Sequence, residues 1–147
     1  MTANPSPPVA TDEATARNTT LRIRAIPIFV LLLGEILLGN QLAEVGSPYP
    51  VGYLAAHVVL SVLLVGFTAH VFLAALRLPK AAATYAAAIT FLSTLGATLG
   101  GTVFLLGGGS TSSLYAMEGL GGVALIAAIL LMVWGSVAAS SQTSPTT

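Results

Sequence analysis

The chain has no cysteine. Disulfides, thiolate metal sites, iron–sulfur ligation and cysteine nucleophiles are excluded together. Charge is scarce as well: 7% of the 147 residues are charged, against roughly 25% in a soluble domain. A water-soluble fold of this size could not cover itself with so few charges. With 55% hydrophobic residues, the chain calls for a second, apolar solvent, and the bilayer supplies it. The formal net charge is zero, which removes the basic surface that nucleic-acid binding needs. No P-loop, GxSxG, HExxH or carboxylate dyad is present, so no enzyme chemistry is indicated.

What is there is organised in four apolar blocks, at about 22–43, 51–76, 81–107 and 114–138, each long enough to span a hydrocarbon core of about 30 Å. They are too long and too continuously apolar for barrel strands. Glu44 to Pro50, Arg77-Leu78-Pro79-Lys80 and Gly107 to Ser113 separate them. The expected fold is an all-α four-transmembrane-helix bundle, up-down-up-down, over 21–139. Residues 1–20 and 140–147 are polar and read as disordered cytoplasmic tails. The first block exceeds the apolar length of a signal peptide, about 7–15 residues, and contains Glu35, so it reads as a span.

All five basic residues (Arg17, Arg22, Arg24, Arg77 and Lys80) lie before the first block or between the second and third. Positive charge marks the cytoplasmic side, so both termini are expected inside, in the cell membrane. Tyr49, Tyr53, Tyr115 and Trp134 fall near block ends, as interfacial aromatics do. Gly96 and Gly100, with Ala97 and Gly101, make small-residue pairs on the third block, and Gly119, Gly121 and Gly122 answer on the fourth. Such faces let helix backbones approach closely. Ser93, Thr94, Thr98 and Thr102 can bond between helices or back to carbonyls.

Ionisable groups inside a membrane are expensive and point to function. Glu35 falls near mid-membrane, and His57 and Glu118, with Met117, fall at one depth in the outer half. His70 stands apart, nearer Arg77. Histidines and methionines are competent heme ligands. His57 and His70 are thirteen residues apart, about 140° around a helix, so they do not share a face and disfavour a two-heme stack. One b-type heme would use one histidine with Met117, Met132 or a histidine of another subunit. Glu35 supports a different chemistry: a membrane carboxylate can exchange a proton for a cationic solute. The bland reading, in which these groups only bond helix to helix, stands beside both.

The stretch GEILLGNQLAEVGSPYP leading into the His57 helix, with YAMEGLGG heading the fourth block, resembles in layout the four-helix unit of the heme A synthase type. That resemblance implies heme held near the outer ends of the second and fourth helices. Met117 and Glu118 stand where that family carries its second histidine. Glu35 in the first of four helices is similar to the small multidrug transporters, and that likeness implies proton-coupled transport. Three functions follow as expectations: a b-type heme-binding or accessory unit of respiratory or heme metabolism, a proton-coupled small-molecule transporter using Glu35, or a structural or assembly subunit of a larger membrane complex. The expected partners are the lipid bilayer and a homo-oligomer or larger membrane complex, not nucleic acid.

Overall fold

A computed structural model describes residues 10–46, 48–77, 81–107 and 110–140, and the side chains of 19–46, 48–77, 82–107 and 110–133. Among the described residues the fold is all-α, with four helices: α1 (Ala10–Val45), α2 (Val51–Ala75), α3 (Ala81–Leu106) and α4 (Thr111–Ser140). Three segments are long and apolar enough to cross a membrane: Val51–Ala75, Ala82–Leu106 and Thr111–Val133. α1 is not among these three.

The helix limits follow local chemistry. Gly46 closes α1 at φ 69°, the left-handed conformation that glycine adopts without a Cβ penalty, and its N–H donates to the Leu42 carbonyl at 3.1 Å. Pro50 then stands as the N-cap of α2. Ser110 caps α4: its Oγ accepts from the Ser113 N–H at 3.4 Å, and Ser113 Oγ donates to the Ser110 carbonyl at 2.9 Å. A serine cap satisfies one of the free N–H groups of a first turn. That is why α4 begins at Thr111, three residues before the apolar block. α1 likewise reaches back to Ala10, so residues 10–20 are part of this helix. Their Ala-rich segment, with Asp12 and Glu13 near its start, suits a helix N-terminus. Residues 1–9 and 141–147, Lys80, the Gly108-Gly109 loop and the side chains of Arg17 and Trp134 lie outside the described residues.

The helices form a ring: α1 packs on α2 and α4, and α3 packs on α2 and α4. The buried face of α2 is His57, Ser61, Leu64, Thr68, Val71 and Ala75, spacings of three and four that make one helical stripe. His57 lies on that stripe. His70, one residue off it, is exposed. The two halves of the bundle differ. One is a close-packed core of Leu21, Ala25, Ile28, Val71, Ala86, Ala87, Ala124, Ala128 and Leu131, with Phe72 of α2 stacked on Phe91 of α3 at 5.7 Å. The other half holds the polar residues. Outside, Val62, Leu99 and Ile126 are about 60% exposed, far too much apolar surface for water and suited to lipid.

α3 and α4 meet through the predicted small face, but not glycine to glycine. A Cβ on Gly96 would lie 2.9 Å from Leu120 Cδ1, and one on Gly100 would lie 3.6 Å from the Met117 backbone N. Leu120 and Met117 are thus the knobs that fill the glycine holes. A Cβ on Gly121 would lie 3.8 Å from Ile36 Cγ1 of α1, while one on Gly119 or Gly122 would meet no neighbouring residue within 4 Å. Gly122 lines a cavity.

Candidate functional site

Glu35 of α1 is the centre of the polar half. Its Oε1 accepts a hydrogen bond from Ser61 Oγ of α2 and lies 3.2 Å from His57 Nδ1. The His57 contact has ion-pair distance but not hydrogen-bond alignment, since Nδ1 finds no hydrogen-bond partner. Glu35 Oε2 and Thr94 Oγ1 are also buried without a partner. An unpartnered buried polar atom costs about 1–3 kcal/mol, so Glu35 Oε2 and Thr94 Oγ1 are two groups that a polar ligand could satisfy.

Glu35, His57 and Thr94 share one cavity of about 420 Å³, within the range of about 300–1,000 Å³ common for small-molecule pockets. All four helices contribute to it. Leu32, Ile36, Leu64 and Ala97 supply apolar wall, and Asn40 and Glu118 are its exposed members. Glu118 therefore brings a second carboxylate to the same cavity, from α4. Thr98 also lines it, but its hydroxyl is spent on the Thr94 carbonyl at 3.0 Å.

Gly39 and Gly101 let His57 and Met117 come together across the ring. A Cβ on Gly101 would sit 3.2 Å from Met117 Sδ and 3.9 Å from His57 Nε2, and one on Gly39 would sit 3.5 Å from His57 Cε1 and 3.7 Å from Met117 Cε. The void they share with Leu42, Phe104 and Leu105 holds only about 10 Å³. The donor set has heme chemistry, with Nε2 and Sδ turned to one place. The void at their junction holds no porphyrin plane, although both residues also line the cavity of about 420 Å³. A heme inserted directly between His57 and Met117 would require these two side chains to part. His70 lies in a separate cavity beside Arg24 and Arg77, without Met117. Met132 packs against the core at the other end of α4. No cluster of three His, Asp or Glu capable of holding a metal ion occurs among the described residues.

The structure thus brings together Glu35, His57, Met117 and Glu118, and leaves His70 out. Ser61 was not singled out from sequence. The signal was present, because Ser61 is four residues after His57 and so shares its face. Thr94 was read as a helix-bonding residue, whereas its hydroxyl is unbonded. Comparison with protein-family models, with curated proteins and with solved structures found no match.

Proposed function

We propose that this chain is a small multi-pass protein of the cell membrane, with both termini cytoplasmic, in which Glu35, His57 and Ser61 exchange a proton for a small organic cation. The observation that carries the reading is Glu35 itself. One carboxylate oxygen is held by Ser61 and faces His57. The other is buried without a partner, on a residue that lines a solute-sized cavity. A buried charge requires compensation. A proton on the Glu35–His57 pair provides it in one state, and the solute's positive charge provides it in the other. Each displaces the other, which is the minimum requirement for coupling.

The remaining groups fit the same task. Glu118 at the exposed side of the cavity draws cations towards it. Apolar walls suit the organic part of the solute. Ser61 fixes the carboxylate, so that its free oxygen stays turned to the cavity. Three spans are apolar enough by themselves, and α1, packed between α2 and α4, completes four.

Competition sets the sign of the pH dependence. The titratable groups facing the cavity are Glu35 on α1, His57 on α2 and Glu118 on α4, and α3 contributes only Thr94 and Thr98 as polar side chains. In an exchange of proton for cation the two compete, so cation binding weakens as pH falls. Calorimetric titration of the detergent-solubilised chain with benzyltrimethylammonium, in two buffers of different ionisation enthalpy, counts protons released per cation bound. Wild-type protein is expected to release protons, and Glu35→Gln to lose both release and most of the affinity. Equal binding by wild type and Glu35→Gln, or binding without proton release, rejects the reading.

A further inference from the structure

The second large cavity lies at the opposite half of the bundle, between α1 and α2, and encloses about 600 Å³. Its polar lining is Thr20 and Arg24 from α1, with His70 and Arg77 from α2 and its C-terminal turn. Two guanidinium groups from different helices therefore open on one space. Like charges brought together repel, and among the residues whose side chains are described no carboxylate pairs with either arginine. Glu35 and Glu118 line the other cavity, and Glu44 lies at the far end of α1. Arg24, His70 and Arg77 thus give this space a basic lining, and His70 and Arg77 are exposed, so an anion can reach it.

We propose that this cavity binds the phosphate headgroup of an anionic phospholipid. Guanidinium forks match phosphate oxygens in a bidentate way, and His70 adds an imidazole donor. Basic pockets between transmembrane helices are suited to anionic headgroups. The rest of the lining decides between a lipid and a free phosphate ion. Leu21 is buried at the floor, while Leu73 is 59% exposed, and both border the cavity with Ala74. That gives a headgroup site with an apolar track leading outwards, which inorganic phosphate cannot use and a glycerol backbone with acyl chains can. The inference shares with the proposed function only the premise of a membrane-spanning chain. Its residues are separate from the Glu35 cavity, so the two fail independently.

The test uses the full chain in detergent, stripped of lipid and offered phosphatidylglycerol or phosphatidylcholine, with retained lipid counted by native mass spectrometry. Wild type is expected to retain phosphatidylglycerol about tenfold over phosphatidylcholine, in line with two arginines near a headgroup. Arg24→Gln and Arg77→Gln should each reduce that preference, and together abolish it. Arg22→Gln makes the same charge change on an exposed residue outside the cavity and should leave the preference intact. Arg77 is exposed and beyond the end of α2, so its variant reports on the site even if Arg24→Gln weakens the fold. Equal retention of the two lipids by wild type, or equal loss in Arg22→Gln, overturns the proposal. Displacement of the lipid by millimolar inorganic phosphate would assign the site to a free anion and overturn the lipid assignment.

Discussion

Two buried hydroxyls beside the Glu35 cavity stand in opposite conditions. Ser61 Oγ donates to Glu35, whereas Thr94 Oγ1 is buried without a partner. Thr68 and Thr90, by contrast, bond back to carbonyls four residues earlier, each at 2.8 Å, the usual outlet for a hydroxyl in an apolar helix. Valine has nearly the shape of threonine. Thr94→Val therefore removes an unsatisfied group at little packing cost, and is expected to leave stability unchanged or raise it by up to about 1–3 kcal/mol. Ser61→Ala removes a donor from a buried carboxylate and should lower stability by about 0.5–2 kcal/mol, the scale of polar bonds between membrane helices. Unfolding in mixed detergent micelles measures both. A more stable Ser61→Ala, or a strongly destabilised Thr94→Val, would reverse the roles assigned here. Glu35, His57, Met117 and Glu118 were legible in sequence because ionisable and ligand-forming groups stand out in apolar runs. Ser61 and Thr94 were not, because whether a hydroxyl bonds its own helix or another depends on packing.

Between α3 and α4 the sequence shows small faces without showing which residue meets which. Gly100 opposes the Met117 backbone at 3.6 Å from a built Cβ, and a backbone cannot move aside as a side chain can. Gly100→Val is expected to cost about 1–3 kcal/mol through overpacking. Gly122 has open space at its Cβ, so Gly122→Ala should stabilise α4 by up to about 1 kcal/mol through helix propensity alone. The same micellar unfolding ranks the two, and equal effects would show that α3 and α4 do not pack as described. Helix existence and type were legible from block length and composition. The ends were less so. Ser110 extends α4 backward by capping it, and residues 10–20 join α1 although their sequence is polar.

For the whole molecule, the number of crossings turns on α1. Val51–Ala75, Ala82–Leu106 and Thr111–Val133 qualify as spans on apolarity alone. With three crossings the termini lie on opposite sides of the membrane, and with four they lie on the same side. α1 has the packing of a fourth span. Leu21, Ala25, Ile28, Leu32 and Leu42 are buried, while Ile26, Val30 and Leu37 are 48–66% exposed. It therefore has one face to the bundle and one apolar face turned outwards. Glu35 lines the cavity and so does not interrupt that outer face. Because the chain has no cysteine, single substitutions report position without background. Thr19→Cys and Val45→Cys mark the two ends of α1, and Leu76→Cys and Thr111→Cys mark the ends of α2 and α4. In intact cells a membrane-impermeant maleimide should label Val45→Cys and Thr111→Cys, and should label Thr19→Cys and Leu76→Cys only after permeabilisation. Labelling of Thr19 and Val45 from the same side would show that α1 does not cross. The Glu35 cavity would then need α1 to be recruited to the bundle in some other way, and a four-span exchanger would be excluded.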